Sequence, residues 1–351
     1  MEQIIIEYQD LNDQIVNDPF LLQEEKKEEE EKELPDVLTY NRLNPDELKL
    51  MTGFLPDEFD ELVELLIVPL TPPAVGNKGR RPKLLATPQD RLLALLVWFR
   101  FYDQWSRMGA IFGVSKTHIH HIVHALLDKV ATVLKDLFIV PISHKEQADA
   151  KALFPNFPQV SAVTDSTVQR TSKPVGSFDE ARKHWYAKAK VYGIKSLTFH
   201  ACNGALVAAF PGHPAAISDV TLFRKPEVLS EVRLIVAKAP GEGPADELYP
   251  EWAIMADLGF QGIQYNVRAV LPNKKRPHTE LLSAEKAHNT RLAKRRIIIE
   301  NFYGRLKRKF RIMNACFTHN KDVYPLVFIC CVSLINFDIS RRPLRRSEAE
   351  F

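Results

Sequence analysis

The chain has 351 residues, 45% of them hydrophobic, and a formal net charge of +3. That is the length and apolar content of a soluble globular protein with room for two domains and a real core. The four cysteines, Cys202, Cys316, Cys330 and Cys331, form no CxxC pair and no zinc-type spacing, so neither a disulfide framework nor a zinc site is indicated and a reducing compartment is the simplest inference.

The net charge conceals a segregation. Residues 24–33 (EEKKEEEEKE) are acidic, whereas 291–311 (RLAKRRIIIENFYGRLKRKFR) and 341–346 (RRPLRR) are strongly basic. Such asymmetry points to nucleic acid or another polyanion as partner of the C-terminal half. The opening MEQIIIEYQD does not read as a secretory signal. The longest apolar run, 324–337 (YPLVFICCVSLINF), is short for a bilayer span and reads as a buried helix, so no membrane partner is expected.

In chain order, residues 1–38 are expected to form a mobile acidic arm, because little apolar surface offsets the entropy of ordering it. Asn44-Pro45-Asp46-Glu47 then caps a helix containing Leu48, Met51 and Phe54, and Pro56-Asp57-Glu58 opens a second with Phe59, Leu62, Val63 and Leu66. Residues 71–82 (TPPAVGNKGRRP) read as a basic linker. Thr87-Pro88 starts a strong helix with Leu92, Leu93, Leu95, Leu96 and Phe99. A short helix over 106–112, a turn at Gly113-Val114-Ser115 and a helix over 116–130 follow. In the last of these Ile119, Ile122, Val123 and Leu126 form the inward stripe, leaving Lys116, Thr117, His118, His120 and His121 outside. This is the layout of a helix-turn-helix, whose second helix reaches base edges with its first residues; a plain helical hairpin has the same pattern. His118, His120, His121 and His124 include metal-type i+3 and i+4 pairs, but no Cys or acid completes such a site.

After Pro155 the periodicity becomes strand-like. A strand over 160–164 delivers Asp165 at its end, 192–201 and 205–210 form a hairpin through Asn203-Gly204, and Asp219 begins a helix after a loop. A strand over 252–256 ends at Asp257, 267–271 gives a fifth strand, and the basic helix follows. That helix places Ile298, Phe302, Leu306 and Phe310 at four-residue steps around a lone acid, Glu300, with Arg296 and Lys307 near its face. Alone, Glu300 reads as an ion-paired surface residue. The order of elements, however, is that of an RNase H-like α+β fold, a mixed sheet flanked by helices, in which the first and fourth strands are neighbours. Asp165 and Asp257 would then lie side by side, and a helix across the sheet would bring Glu300 to them. Converging carboxylates repel unless hard cations bind, and two Mg²⁺ ions (Mn²⁺ as the alternative) about 4 Å apart serve in-line phosphoryl transfer. The surrounding Arg and Lys would hold the phosphodiester backbone.

Over residues 85–345 the chain resembles the DDE transposases of the PIF/Harbinger superfamily and their bacterial insertion-sequence relatives. The resemblance rests on a collinear set: LATPQDRLLALLVWFRFYDQWSRMGAIFGVSKTHIHHIV, VTDSTVQ, FPGHPAAISD, MADLGFQG, RRIIIENFYGRLKRKF and ICCVSLINF followed by RRPLR. It implies that Asp165, Asp257 and Glu300 are the metal-binding catalytic triad and that the helical block contacts element DNA. The chain departs from the family where Asp-Gly-Thr is Asp165-Ser166-Thr167, where Gly-Ser-x-His-Asp-Ser has lost its His but kept Asp219, and where Gly-Tyr is Gly259-Phe260. No departure removes a triad member. Asp219 is the rival middle acid, otherwise a helix cap or a residue orienting a lysine or strand. Lys188 and Lys190 match the family's basic segment and are expected, with Lys116, Thr117, His118, His121, Arg296 and Lys307, to contact DNA.

The expected map is an acidic arm at 1–38, a helical DNA-binding region at 39–155 with its helix-turn-helix at 87–130, an RNase H-like catalytic domain at 156–340 and a basic tail at 341–351. The expected activity is metal-dependent cleavage of double-stranded DNA at transposon ends and joining of the freed 3′-OH to target DNA. The alternatives are a domesticated descendant that binds without cutting and a nuclease that never joins strands. A homo-oligomer is expected, together with an accessory DNA-binding protein by the Harbinger resemblance. The location would be nuclear in a eukaryote and cytoplasmic in a bacterium.

Overall fold

A computed structural model describes residues 37–71, 84–150, 152–238 and 251–344. The acidic arm up to residue 36, the linker over 72–83 and the end of the basic tail lie outside these residues. The chain divides into two compact units, Met1–Val130 and Ala131–Phe351.

The first unit is helical: α1 (Pro45–Thr52), α2 (Pro56–Leu65), α3 (Ile67–Leu70), α4 (Pro88–Phe101), α5 (Trp105–Ile111) and the start of α6 (Lys116–Phe138), which continues past the division. Its starts follow the local chemistry. The Asn44 side chain accepts from Glu47 N at 2.9 Å while Glu47 answers to Asn44 N at 2.8 Å, and Thr87 Oγ1 accepts from Asp90 N at 3.0 Å. Between α5 and α6 the chain turns at Gly113, where φ is +64°. Gly109 allows the two helices to close up: a Cβ there would lie 2.6 Å from Val114 O and 3.0 Å from Lys116 N. Ile119 and Val123 are fully buried, whereas Lys116, Thr117, His118 and His121 are exposed. The His120 and His124 rings stack on each other at 4.1 Å and pack against Trp105 at 5.0 and 5.7 Å as an aromatic cluster.

The second unit is built on a mixed six-stranded sheet flanked by helices, as the α+β reading requires. Its strands are β1 (Val160–Thr171), β2 (Trp185–Tyr186), β3 (Val191–His200), β4 (Leu206–Pro214), β5 (Ala253–Met255) and β6 (Ala269–Val270). They lie in the order β2-β3-β1-β5-β6, with β4 also on β3. β1 and β3 are antiparallel, β1 and β5 parallel, and β5 and β6 parallel. The helices are α7 (His144–Asp149), α8 (Phe178–Lys183), α9 (Asp219–Phe223), α10 (Pro226–Val236), α11 (Ser283–Lys309) and α12 (Tyr324–Arg341). α10, with Val228, Val232, Ile235 and Val236 buried, packs into one core with Phe199, Ile254 and Phe260. α12 is long and apolar enough to cross a bilayer, yet it is a core helix: Asn336 bonds both backbone groups of Leu206, at 2.8 and 2.7 Å, and the helix is almost wholly buried.

α11 lies across the sheet. Its buried stripe of Leu292, Ile299, Phe302, Tyr303 and Leu306 faces the strands. Along this helix His288 meets Leu271 O beyond β6 at 3.2 Å, Arg296 meets Asp257 beyond β5 and Asp165 on β1, and Tyr303 meets Thr198 on β3. The one helix therefore addresses four neighbouring strands in turn.

Candidate active site

Two aspartates meet where β1 and β5 part. The parallel ladder ends at Val163↔Met255, and Asp165 and Asp257 each lie two residues further along their own chains. Side chains alternate with a period of two, so on β1 the last residue paired with β5 and Asp165 share a face. Asp165 is not at a strand end as the sequence reading placed it: β3 keeps pairing β1 from Val163 to Thr171, so the aspartate sits mid-strand, on the side β5 has left free. Beyond β5, Asp257 caps a short 3-10 turn, Leu258–Phe260, by accepting from Gly259 N at 2.8 Å.

Arg296 Nη2 bridges the pair, 3.1 Å from Asp165 Oδ2 and 3.8 Å from Asp257 Oδ2. Its Nε is buried with no hydrogen-bond partner among the described residues. Burial pushes the Asp165 carboxyl up to about 6; Arg296 and the Ser166 N–H oppose this, while Asp257 and Asp219 add repulsion. Two neighbouring carboxylates that share one cation are hard oxygen donors of the kind that can hold a divalent ion.

Asp219 stands beside them. Its Oδ1 accepts from Ser166 Oγ at 2.7 Å and from Lys195 Nζ at 3.0 Å. Lys195, only 3% exposed, also donates to Ile217 O at 2.6 Å. The lysine thus anchors Asp219, and Asp219 anchors the residue after Asp165. A Cβ on Gly259 would meet Asp219 Oδ2 at 2.9 Å and Asp257 Oδ1 at 3.0 Å, so glycine there lets the two carboxylates approach. Of Asp219's two expected local roles, it fills the one that orients a lysine, while the cap of α9 is Ser218, whose Oγ accepts from Thr221 N at 3.1 Å.

Beneath Asp165 a buried polar chain fixes α11. Tyr303 OH lies 2.6 Å from Thr198 Oγ1, Thr198 Oγ1 lies 3.0 Å from His200 Nε2, and His200 Nδ1 lies 3.3 Å from Gly204 O. Burial holds His200 down to about 3, so the ring is neutral. Gly204 O only accepts, which puts the proton on Nδ1 and makes Nε2 an acceptor. Thr198 then donates to His200, and Tyr303 donates to Thr198. Thr198 is the cross-strand partner of Asp165, so this chain sets the helix in register with the site.

Glu300 lies one turn beyond Arg296 and is exposed, with no ion pair to it among the described residues. Among those residues, no three His, Cys, Asp or Glu side chains converge at metal-ligand spacing. The structure brings Asp165, Asp257 and Asp219 into one neighbourhood and leaves Glu300 exposed one turn beyond Arg296. Lys188, Lys190 and Lys307 are exposed. Arg296, expected to contact DNA, is ion-paired with both aspartates in the DNA-free chain. Sequence reasoning missed Lys195, Tyr303, Thr198 and His200; the signal for Lys195 was a single charge inside the apolar run of β3.

Residues 164–336 match a family model described as DDE superfamily endonuclease, and residues 83–136 match one described as Helix-turn-helix of DDE superfamily endonuclease. These matches support a helix-turn-helix segment followed by a DDE endonuclease-like segment, and DDE endonucleases as a class use divalent metals. It is also similar to the probable transposase for insertion sequence element IS702 of Microchaete diplosiphon, 24% identical over 307 residues that cover 85% of this chain and 96% of the relative. These likenesses support a transposase or endonuclease. No solved structure matches the chain.

Proposed function

We propose that the protein cleaves DNA at the ends of a mobile element and joins the freed 3′-OH to target DNA. The observation that carries this reading is the pair Asp165 and Asp257, each two residues past the last β1–β5 pair and bridged by one guanidinium. Asp165 and Asp257 would hold divalent ions, two Mg²⁺ or Mn²⁺, with Glu300 reaching in from α11 and Asp219 beside them. When bound, such ions supply an activated water and stabilise the leaving oxygen. In the first step water oxygen bonds to phosphorus and the P–O3′ bond breaks, leaving a 3′-OH on the element and a 5′-phosphate on its flank. In the second, that 3′-OH bonds to a target phosphorus while the target P–O3′ bond breaks, its oxygen taking a proton. Within the protein, Arg296 neutralises non-bridging phosphate oxygens, and the Lys195–Asp219 pair and the Tyr303–Thr198–His200 chain keep the groups in register.

The finer assignment to the PIF/Harbinger branch rests on the motifs around Asp165, Asp219, Asp257 and Glu300. Lys116, Thr117, His118 and His121 read element DNA, Lys188 and Lys307 contact its backbone, and pairing of two ends calls for a homo-oligomer, with an accessory DNA-binding protein as in that branch. The protein works where its element resides, in the nucleus of a eukaryote or the cytoplasm of a bacterium. Incubation of the full chain with labelled terminal-repeat DNA and a target plasmid, with Mg²⁺, Mn²⁺ or chelator, tests this. Metal-dependent joined products are expected; nicking without joining refutes transposition, and binding without nicking refutes catalysis.

A further inference from the structure

The loop that follows Asp257 is rigid and yet displays apolar side chains. Phe260 and Ile263 are fully buried and pin it to the core. Arg224 clamps it from outside, donating to Gly262 O at 2.9 Å and to Asn266 Oδ1 at 3.1 Å, while Gln261 Nε2 reaches Pro272 O at 2.9 Å. Gly262, with φ at +113°, makes the bend. Between these anchors Leu258 is 50% exposed and Tyr265 83% exposed. Isolated apolar residues on a surface are ordinary. Leu258, however, is joined directly to Asp257, and a fixed loop loses little freedom on binding.

We infer that this loop engages the bases flanking the scissile phosphate, Leu258 as a wedge that parts the base stack and Tyr265 as a face on which a parted base rests. The inference rests on the proposed DNA cleavage at Asp165 and Asp257. A phosphate held at those carboxylates through divalent ions would have its flanking bases within reach of Leu258, the residue next to Asp257, and apolar wedges that unstack a step, like aromatic rings that receive bases, are established ways of gripping DNA. Both side chains lie outside the buried core, so both can be changed without loss of the core.

The test uses the full chain and a duplex element end with 2-aminopurine on either side of the cleavage junction. Binding by the wild type raises the fluorescence. Leu258→Ser abolishes the rise and slows cleavage about tenfold, and an abasic site at the junction restores its rate. Tyr265→Ser weakens end binding about tenfold, and Tyr265→Phe does not. Wild-type cleavage without a fluorescence change, or Leu258→Ser and Tyr265→Ser that match the wild type in every readout, overturns the inference while the cleavage reading stands. No metal-dependent cleavage by the wild type overturns the cleavage reading itself and the inference with it.

Discussion

Arg296 donates to Asp165 at 3.1 Å, on the side where the guanidinium also faces Asp257. A side chain so engaged has already exchanged water for protein, and it adds little to counterion release until it leaves the aspartates. Lys307, exposed on the same helix, has no such constraint. Lys307→Ala should therefore lower the salt slope of DNA binding by about one unit, and Arg296→Ala by much less. Arg296→Ala should also tighten Mn²⁺ binding to the free protein, measured by electron paramagnetic resonance. Unchanged Mn²⁺ affinity would show that the guanidinium does not compete for the aspartates.

The pH dependence has a definite sign. Asp165 titrates near 6 in the fold, because of burial foremost, against 3.8 for the ordinary group. Between those values the folded state holds a proton that the unfolded chain has released, so its contribution to stability falls as pH rises through the window. Asp165→Asn should stabilise the metal-free protein at pH 7 by about 1–3 kcal/mol and have a much smaller effect near pH 4. Thermal denaturation across this range decides it.

Gly259→Ala forces a methyl against two carboxylates, not against backbone. Side-chain oxygens can yield, so the protein should fold with a melting temperature close to wild type. A displacement of about 1 Å at reacting groups costs on the order of a hundredfold in rate, and strand cleavage should fall by that much. Loss of folding instead would mean that the loop, not the site, needs the glycine.

Lys195→Met leaves Asp219 with its charge and without its cation in a site that is 14% exposed. Breaking a buried pair from one side costs about 3–5 kcal/mol. The double variant Lys195→Met/Asp219→Asn should regain much of this stability in chemical denaturation without regaining cleavage. Recovery of both would reduce the pair to a packing device.

Much of this arrangement was legible in the sequence, and the rest depended on partners far away in the chain. The caps at Asn44, Thr87 and Ser115 are local hydrogen bonds, and the stripes of α6 and α11 follow helical periodicity, so these elements were found. The pairing of the first strand with the one ending near Asp257 followed from element order. The length of β1 did not, because all but Val168 of its residues after Thr164 are polar and their extended run is paired along β3. β2 spans two residues, too few for any period to register. Arg296 was read as a phosphate contact because its charge and helix face are local properties, whereas its proximity to Asp165, 131 residues away, is set by how α11 crosses the sheet.

The most direct test is metal-dependent cleavage of element-end DNA by the wild type beside Asp165→Asn, Asp257→Asn and Glu300→Ala, with DNA binding measured on the same samples. The account predicts cleavage by the wild type in Mg²⁺ or Mn²⁺, none by the three variants, and retained binding by all four. Cleavage retained in Asp257→Asn would contradict the aspartate pair as the catalytic centre, and cleavage retained in Glu300→Ala would remove that residue from it.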